Sequence, residues 1–169
     1  TLEPGIDLGG DANTGLANKV KRGSLSWSDF DGDGNLDLAL SGRDASLYAV
    51  LKIFRNRPAG TLSEDGDFSL NIFQRIDGGA HWIDYDNDGD LDLFVSVGGG
   101  FAPGREPGRN VLLRNDRGIF TDVTVQAGLT DEMSTNNAIW MDYDRDGYVD
   151  LFAANLGDPE LHRNKLYRN

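Results

Sequence analysis

Three short apolar runs recur along the chain: Leu36–Leu40, Leu91–Val95 and Val149–Ala153. Each is too short and too densely apolar for a surface helix, and each reads as a strand buried on both faces. Downstream of each run comes a second strand that closes on Arg-Asn, at Lys52–Asn56, Val111–Asn115 and Lys165–Asn169. In the first two cases a glycine-containing turn follows (Glu64–Asp67 and Asp116–Gly118), then a further apolar segment, Phe68–Phe73 and Phe120–Val125. Upstream of each run lies a strand carrying one of the three tryptophans, Trp27, Trp82 or Trp140. The pattern predicts a repeated unit of four strands.

Between the tryptophan strand and the buried strand the same acidic loop appears three times. It runs from Asp29 to Asp37, from Asp84 to Asp92 and from Asp142 to Asp150, its first aspartates 55 and then 58 residues apart. Aspartates occupy loop positions 1, 3, 5 and 9, and glycine occupies position 6. Four carboxylates within nine residues suit a hard cation of calcium size, and the glycine permits a sharp turn around it. Unneutralised carboxylates this close repel one another. The candidate ligands are Asp29, Asp31, Asp33 and Asp37; Asp84, Asp86, Asp88 and Asp92; and Asp142, Asp144, Asp146 and Asp150. Position 7 varies in type (Asn35, Asp90, Tyr148), as expected if it offers only its backbone carbonyl. The loop is not an EF-hand. That motif needs a glutamate at position 12, where this chain has Leu40, Val95 and Ala153.

The segments Trp82–Phe94 and Trp140–Phe152, with Leu166–Asn169, resemble the FG-GAP/VCBS repeats of integrin-α-like β-propellers. The likeness covers roughly residues 21–169. The first copy departs from the family form at Phe30 and Ala39, which leaves its aspartates intact. The resemblance implies an all-β fold of four-stranded antiparallel blades, one Ca²⁺ in the first hairpin of each, and ligand recognition on the opposite face. Blade one is expected over 21–76, blade two over 77–133, and blade three from 134 to 169 without its last strand. Residues 1–20 fall outside the repeat. About three blades are expected, as part of a larger propeller of about seven, since closed propellers use about 4–8.

Composition fits this reading. Of 28 acidic residues, 23 are aspartate, and twelve of those are the loop positions named above. The formal net charge is −12, which three calcium ions would roughly halve. Such acidity argues against nucleic acid, whose phosphates require a basic face. No apolar or basic amphipathic stretch suggests a membrane. Without cysteine there is no disulfide or thiolate metal site. Calcium at millimolar levels is an extracellular or periplasmic condition, so an exported protein is expected.

Other candidates are weaker. Phe101, Arg105 and Arg109 sit in a long glycine-rich link and form a possible ligand loop. The tryptophans are expected as blade-packing core by their fixed phase, and His81 is expected to be a hydrogen-bonded structural histidine. No nucleophile–base pattern, P-loop or dinucleotide fingerprint is present. The expected function is protein or glycan recognition or assembly, with a neighbouring subunit as a further candidate partner. The alternative is the non-catalytic part of a larger extracellular enzyme, such as a polysaccharide lyase or a dehydratase.

Overall fold

The computed structural model describes residues 21–43, 49–57, 61–64, 78–98, 108–131, 134–156 and 163–169. Every regular element among them is a strand. The first sheet contains β1 (Lys21–Ser28), β2 (Asp37–Arg43), β3 (Ala49–Arg57) and β4 (Thr61–Glu64). The second contains β5 (Gly79–Ile83), β6 (Asp92–Ser96), β7 (Val111–Asp116) and β8 (Ile119–Asp122). The third contains β9 (Ser134–Met141), β10 (Asp150–Leu156) and β11 (Lys165–Tyr167). Each sheet is an antiparallel meander in chain order. These are the blade-like units that the repeat implies.

The buried runs are the second strands. All of β2 and β6 is buried, as continuous apolar strands require when both faces are covered. In β10 the pattern breaks: Leu151 and Ala153 are buried while Phe152 is exposed. One face of β10 packs on the second sheet, and the other meets no further sheet among the described residues.

One strand lies elsewhere than its sequence suggests. β4 pairs with β3 in the register Asn56↔Leu62, as Asn115↔Phe120 joins β7 to β8. The fourth strand of the first sheet is therefore Thr61–Glu64, which precedes the expected turn at 64–67. The sequence between the two strands carries the turn-forming residue types Pro58 and Gly60. The segment 68–73 lies outside the described residues. In the second sheet the strand ends at Asp122, and Thr124–Gly128 forms turns. The β7–β8 hairpin uses Arg117 and Gly118, with φ of 54° and 88°. Two successive left-handed residues give the tight hairpin geometry that matches strand twist.

The first strand of the second and third sheets faces two strands of the sheet before it. β5 lies against β1 and β2, and β9 lies against β5 and β6. At the first junction Trp82 stacks on Phe30, the loop aromatic of the preceding unit, with centroids 5.3 Å apart and planes within 6°. Its indole Nε1 donates to the Ser26 carbonyl. Phe120 closes the group, 5.5 Å from Phe30 and 6.2 Å from Trp82. At the second junction Trp140 meets Phe94 edge-on at 5.5 Å.

Trp82 and Trp140 thus pack between sheets against the core clusters, as expected of blade-packing residues, and Trp27 does not. Trp82 and Trp140 are half-buried, but Trp27 is 51% exposed. Trp82 and Trp140 each pack on an aromatic of the unit before, Phe30 of the loop and Phe94 of β6, and no unit precedes Trp27 among the described residues. His81 also departs from expectation. Its Nε2 is buried without a hydrogen-bond partner, and burial lowers its pKa.

We expect Trp82→Ala to cost about 3 kcal/mol, at the low end for buried aromatics because the ring is only half-covered. Trp27→Ala should stay within about 0.5 kcal/mol of the parent, as exposed sites do. Urea unfolding of the two variants checks both values, and equal losses would refute the junction role.

Candidate metal centre

Each acidic loop connects the first strand of its sheet to the buried second strand, so all three sit at the same end of their sheets. Short hydrogen bonds shape each loop from within. The position-1 carboxylate accepts the N–H groups of positions 5 and 6: Asp29 from Asp33 and Gly34, and Asp142 from Asp146 and Gly147. In the middle loop Asp84 accepts from Gly89 at 3.2 Å. The position-5 carboxylate accepts the N–H of position 7, at 2.8, 2.9 and 3.0 Å in the three copies. These are the local side-chain turns that aspartate favours.

The position-6 glycines Gly34, Gly89 and Gly147 have φ of 88°, 92° and 94°. A Cβ at any of them would meet nothing within 4 Å. Glycine is therefore required there by backbone conformation and not by space. Position 4 is left-handed too, at Gly32, Asn87 and Arg145. Sequence reading missed this, because three unrelated residue types hide one shared φ.

The geometry brings three carboxylates together in each loop, with ligand oxygens within 4.8 Å of one another. The groups are Asp29, Asp31 and Asp33; Asp84, Asp86 and Asp92; and Asp142, Asp144 and Asp146. Each group could hold a metal ion. Asp88 stays outside the middle group, and Asp37 and Asp150 stay outside theirs.

Position 9 has a structural task in every copy. Asp37, Asp92 and Asp150 are wholly buried. One oxygen accepts the N–H of the loop aromatic: Phe30 at 3.3 Å, Tyr85 at 3.0 Å and Tyr143 at 3.1 Å. The other accepts the N–H of the asparagine that ends the Arg-Asn strand: Asn56 and Asn115 at 2.8 Å, and Asn169 at 3.0 Å. Those asparagines are the second feature that sequence reading left without a role. Asn115 Nδ2 donates to Phe30 O of the preceding loop and to Leu91 O of its own. Asn169 Nδ2 repeats this with Tyr85 O and Val149 O.

Charge is handled differently in the three loops. Arg55 pairs with Asp31 at 2.6 Å and lies over the Phe30 ring. Arg168 pairs with Asp144 at 2.7 Å and Asp146 at 3.1 Å. In the middle unit the matching Arg114 pairs with Asp116, outside the loop. The middle loop also holds two buried carboxylate oxygens without hydrogen-bond partners, Asp84 Oδ1 and Asp86 Oδ1. Burial, then the charge of Asp88, raises the Asp86 pKa. Burial pushes Asp92 up to about 6, against the pull of the Asn115 and Tyr85 amides. A donor set with excess negative charge, buried oxygens left unpaired and carboxylates driven toward protonation fits a hard divalent cation.

Of the possible ligand loop, Phe101 and Arg105 lie outside the described residues. Arg109 is half-buried just before β7.

Without a divalent ion, Asp92 binds its proton more tightly in the folded chain than its ordinary value of 3.8. Its contribution to stability therefore falls as pH rises from about 3.8 through about 6. A bound cation favours the carboxylate and should reverse the shift. We expect the Asp92 carboxyl carbon to titrate near pH 6 by NMR in chelator and below its ordinary value in saturating calcium. The same midpoint in both conditions would show that no ion reaches this loop.

A search of curated proteins finds no match to the chain. The family model described as FG-GAP-like repeat matches residues 29–95, from the first aspartate of the first loop to the buried strand of the second sheet. Over that stretch in sequence, and in the recurrence of its sheets beyond it, the chain is like the FG-GAP-like repeat proteins.

Proposed function

We propose that the chain is a calcium-binding β-propeller repeat module for protein or glycan recognition or assembly, with calcium in a structural role. The observation that carries this is the threefold recurrence of a three-carboxylate cluster at the same hairpin. Asp29, Asp31 and Asp33 would hold the first ion, Asp84, Asp86 and Asp92 the second, and Asp142, Asp144 and Asp146 the third. Asp37, Asp88, Asp150 and the carbonyls of Asn35, Asp90 and Tyr148 are the further donors of the proposed set. When bound, the ion supplies positive charge that lets the carboxylates stay ionised at close quarters. The chain's own contribution is the folded loop and the position-9 aspartate that ties it to the sheet.

An extracellular or periplasmic setting suits this reading, because millimolar free calcium would keep such sites filled. No helix among the described residues is long and apolar enough to cross a membrane.

Calorimetry on metal-stripped protein should detect calcium binding at or below 1 mM, and Asp33→Ala, Asp88→Ala or Asp146→Ala should each remove one site. At free calcium 100 times the dissociation constant, each site adds about 2.7 kcal/mol of stability. Excess chelator should therefore lower the melting temperature sharply, and magnesium should restore it poorly. Identical melting with and without chelator would end the structural role.

The loops should also differ in affinity. In the first and third, a guanidinium already pairs with the position-3 carboxylate and opposes a second cation. The middle loop has no such pair and should bind most tightly. Arg168→Gln should tighten the third site several-fold, as read by calcium titration. Weaker binding in that variant would mean that the arginine supports the ion and does not compete with it.

A further inference from the structure

The second and third acidic loops touch directly. Asn87 Nδ2 donates to the Gly147 carbonyl at 2.9 Å, from position 4 of one loop to position 6 of the next. Both residues are left-handed, with φ of 60° and 94°. The bond holds only while each loop keeps that turn, because a swing of either backbone carries donor or acceptor out of reach. Asn87 lies between Asp86 and Asp88, two donors of the middle set. Across the gap, the Gly147–Tyr148 peptide is held from both edges. Its carbonyl accepts from Asn87, and its N–H donates to Asp146 Oδ1 at 3.0 Å. The next carbonyl along is that of Tyr148, a donor of the third set. One side chain thus spans from the ligands of one proposed ion to those of another. Between the first and middle loops this bond has no counterpart. The residue in the phase of Asn87 is Gly32, which has the same left-handed turn and no side chain. The Gly89–Asp90 peptide keeps the matching bond to Asp88 at 2.9 Å, but no side chain from position 4 of the loop before can reach its carbonyl.

We infer that Asn87 couples the second and third metal sites, so that an ion in either loop raises the affinity of the other. The inference rests on the calcium reading and assigns regulation to its sites. In an empty loop the gathered carboxylates repel one another. An ion draws them into the folded turn. With one loop so held, its end of the Asn87–Gly147 bond is already in place, and the other loop has less to order when its own ion arrives. Such coupling is reciprocal: the factor that the middle ion adds to the third site is the factor that the third adds to the middle. One neutral hydrogen bond sets its size at about two- to tenfold. The pair then fills over a narrower range of calcium than two independent sites of the same affinity.

The test is a cycle of the parent chain, Asn87→Gly, Asp88→Ala and the double variant. Glycine suits the turn, as Gly32 does in the first loop, and removes the side chain. Asp88→Ala empties the middle site, and Asp86→Ala is a second route to the same state should the first variant not melt cooperatively. Calcium is titrated into each metal-stripped protein, with the NMR amide signals of Gly89 and Gly147 reporting the middle and third loops separately. Asp88→Ala should weaken the third site about two- to tenfold when Asn87 is present, and by a clearly smaller factor in the Asn87→Gly background. Asp146→Ala, read at Gly89, should weaken the middle site by the same factor. Equal weakening in both backgrounds, or none in either, would overturn the coupling and leave the calcium sites standing. If neither glycine signal of the parent chain moves at 1 mM calcium, the metal reading falls and the coupling falls with it.

Discussion

The buried aspartate at loop position 9 holds the repeat together. It sits at the start of the second strand, fully out of water, and both of its oxygens are engaged by backbone N–H groups. One engagement fixes the start of the acidic loop. The other fixes the end of the Arg-Asn strand, 19 to 23 residues further on. A charge-assisted bond of this kind is stronger than a neutral one, and losing it would strand a carboxylate in the interior. With the asparagine so placed, its side chain reaches the carbonyl of the previous loop aromatic. One carboxylate therefore orders its own loop, its own sheet and the junction to the neighbour.

The cost of this device is charge. Each loop gathers three carboxylates and buries a fourth or shares it with the group. Where an arginine returns from the third strand, part of that charge is met by the protein itself. Where it does not, at Asp84, Asp86 and Asp92, buried oxygens remain unpaired and the burial of Asp92 drives it toward protonation. The same sequence pattern thus gives three electrostatically distinct sites. The difference arises from one side chain, Arg114, which turns to Asp116, a residue whose counterpart in the first unit is Arg57.

Much of this was legible in the residues. Aspartate spacing and the glycine at position 6 marked the loops, and the short apolar runs marked β2, β6 and β10. The fourth strand of the first sheet was not legible. Leu62 is the one apolar side chain in Thr61–Glu64 with a packing role, and Glu64–Asp67 looked like a copy of the Asp116–Gly118 turn. Position 4 was hidden for a different reason. Gly32, Asn87 and Arg145 share a left-handed φ that only two of the three residue types favour, so the arginine gives no sign of it. The asparagines were visible as a repeat, but their role depends on the neighbouring unit. No reading of a single unit could assign it.

That last point governs how the units behave. Neighbouring sheets of this chain satisfy one another: Trp82 and Trp140 pack on aromatics of the unit before, and the carbonyls of Phe30 and Tyr85 are met by the asparagine of the unit after. Stability in such a chain is a sum of unit terms and nearest-neighbour terms. Trp82 and Asn115 have neighbours on both counts and are half or wholly buried. Trp27 has no earlier unit among the described residues and stands half in solvent. Phe152 is exposed where its counterpart Phe94 is covered by Trp140. Among the described residues, the exposed Trp27 and Phe152 are thus in the phase that Trp82 and Phe94 occupy at the inner junctions, and their exposure follows from the repeat.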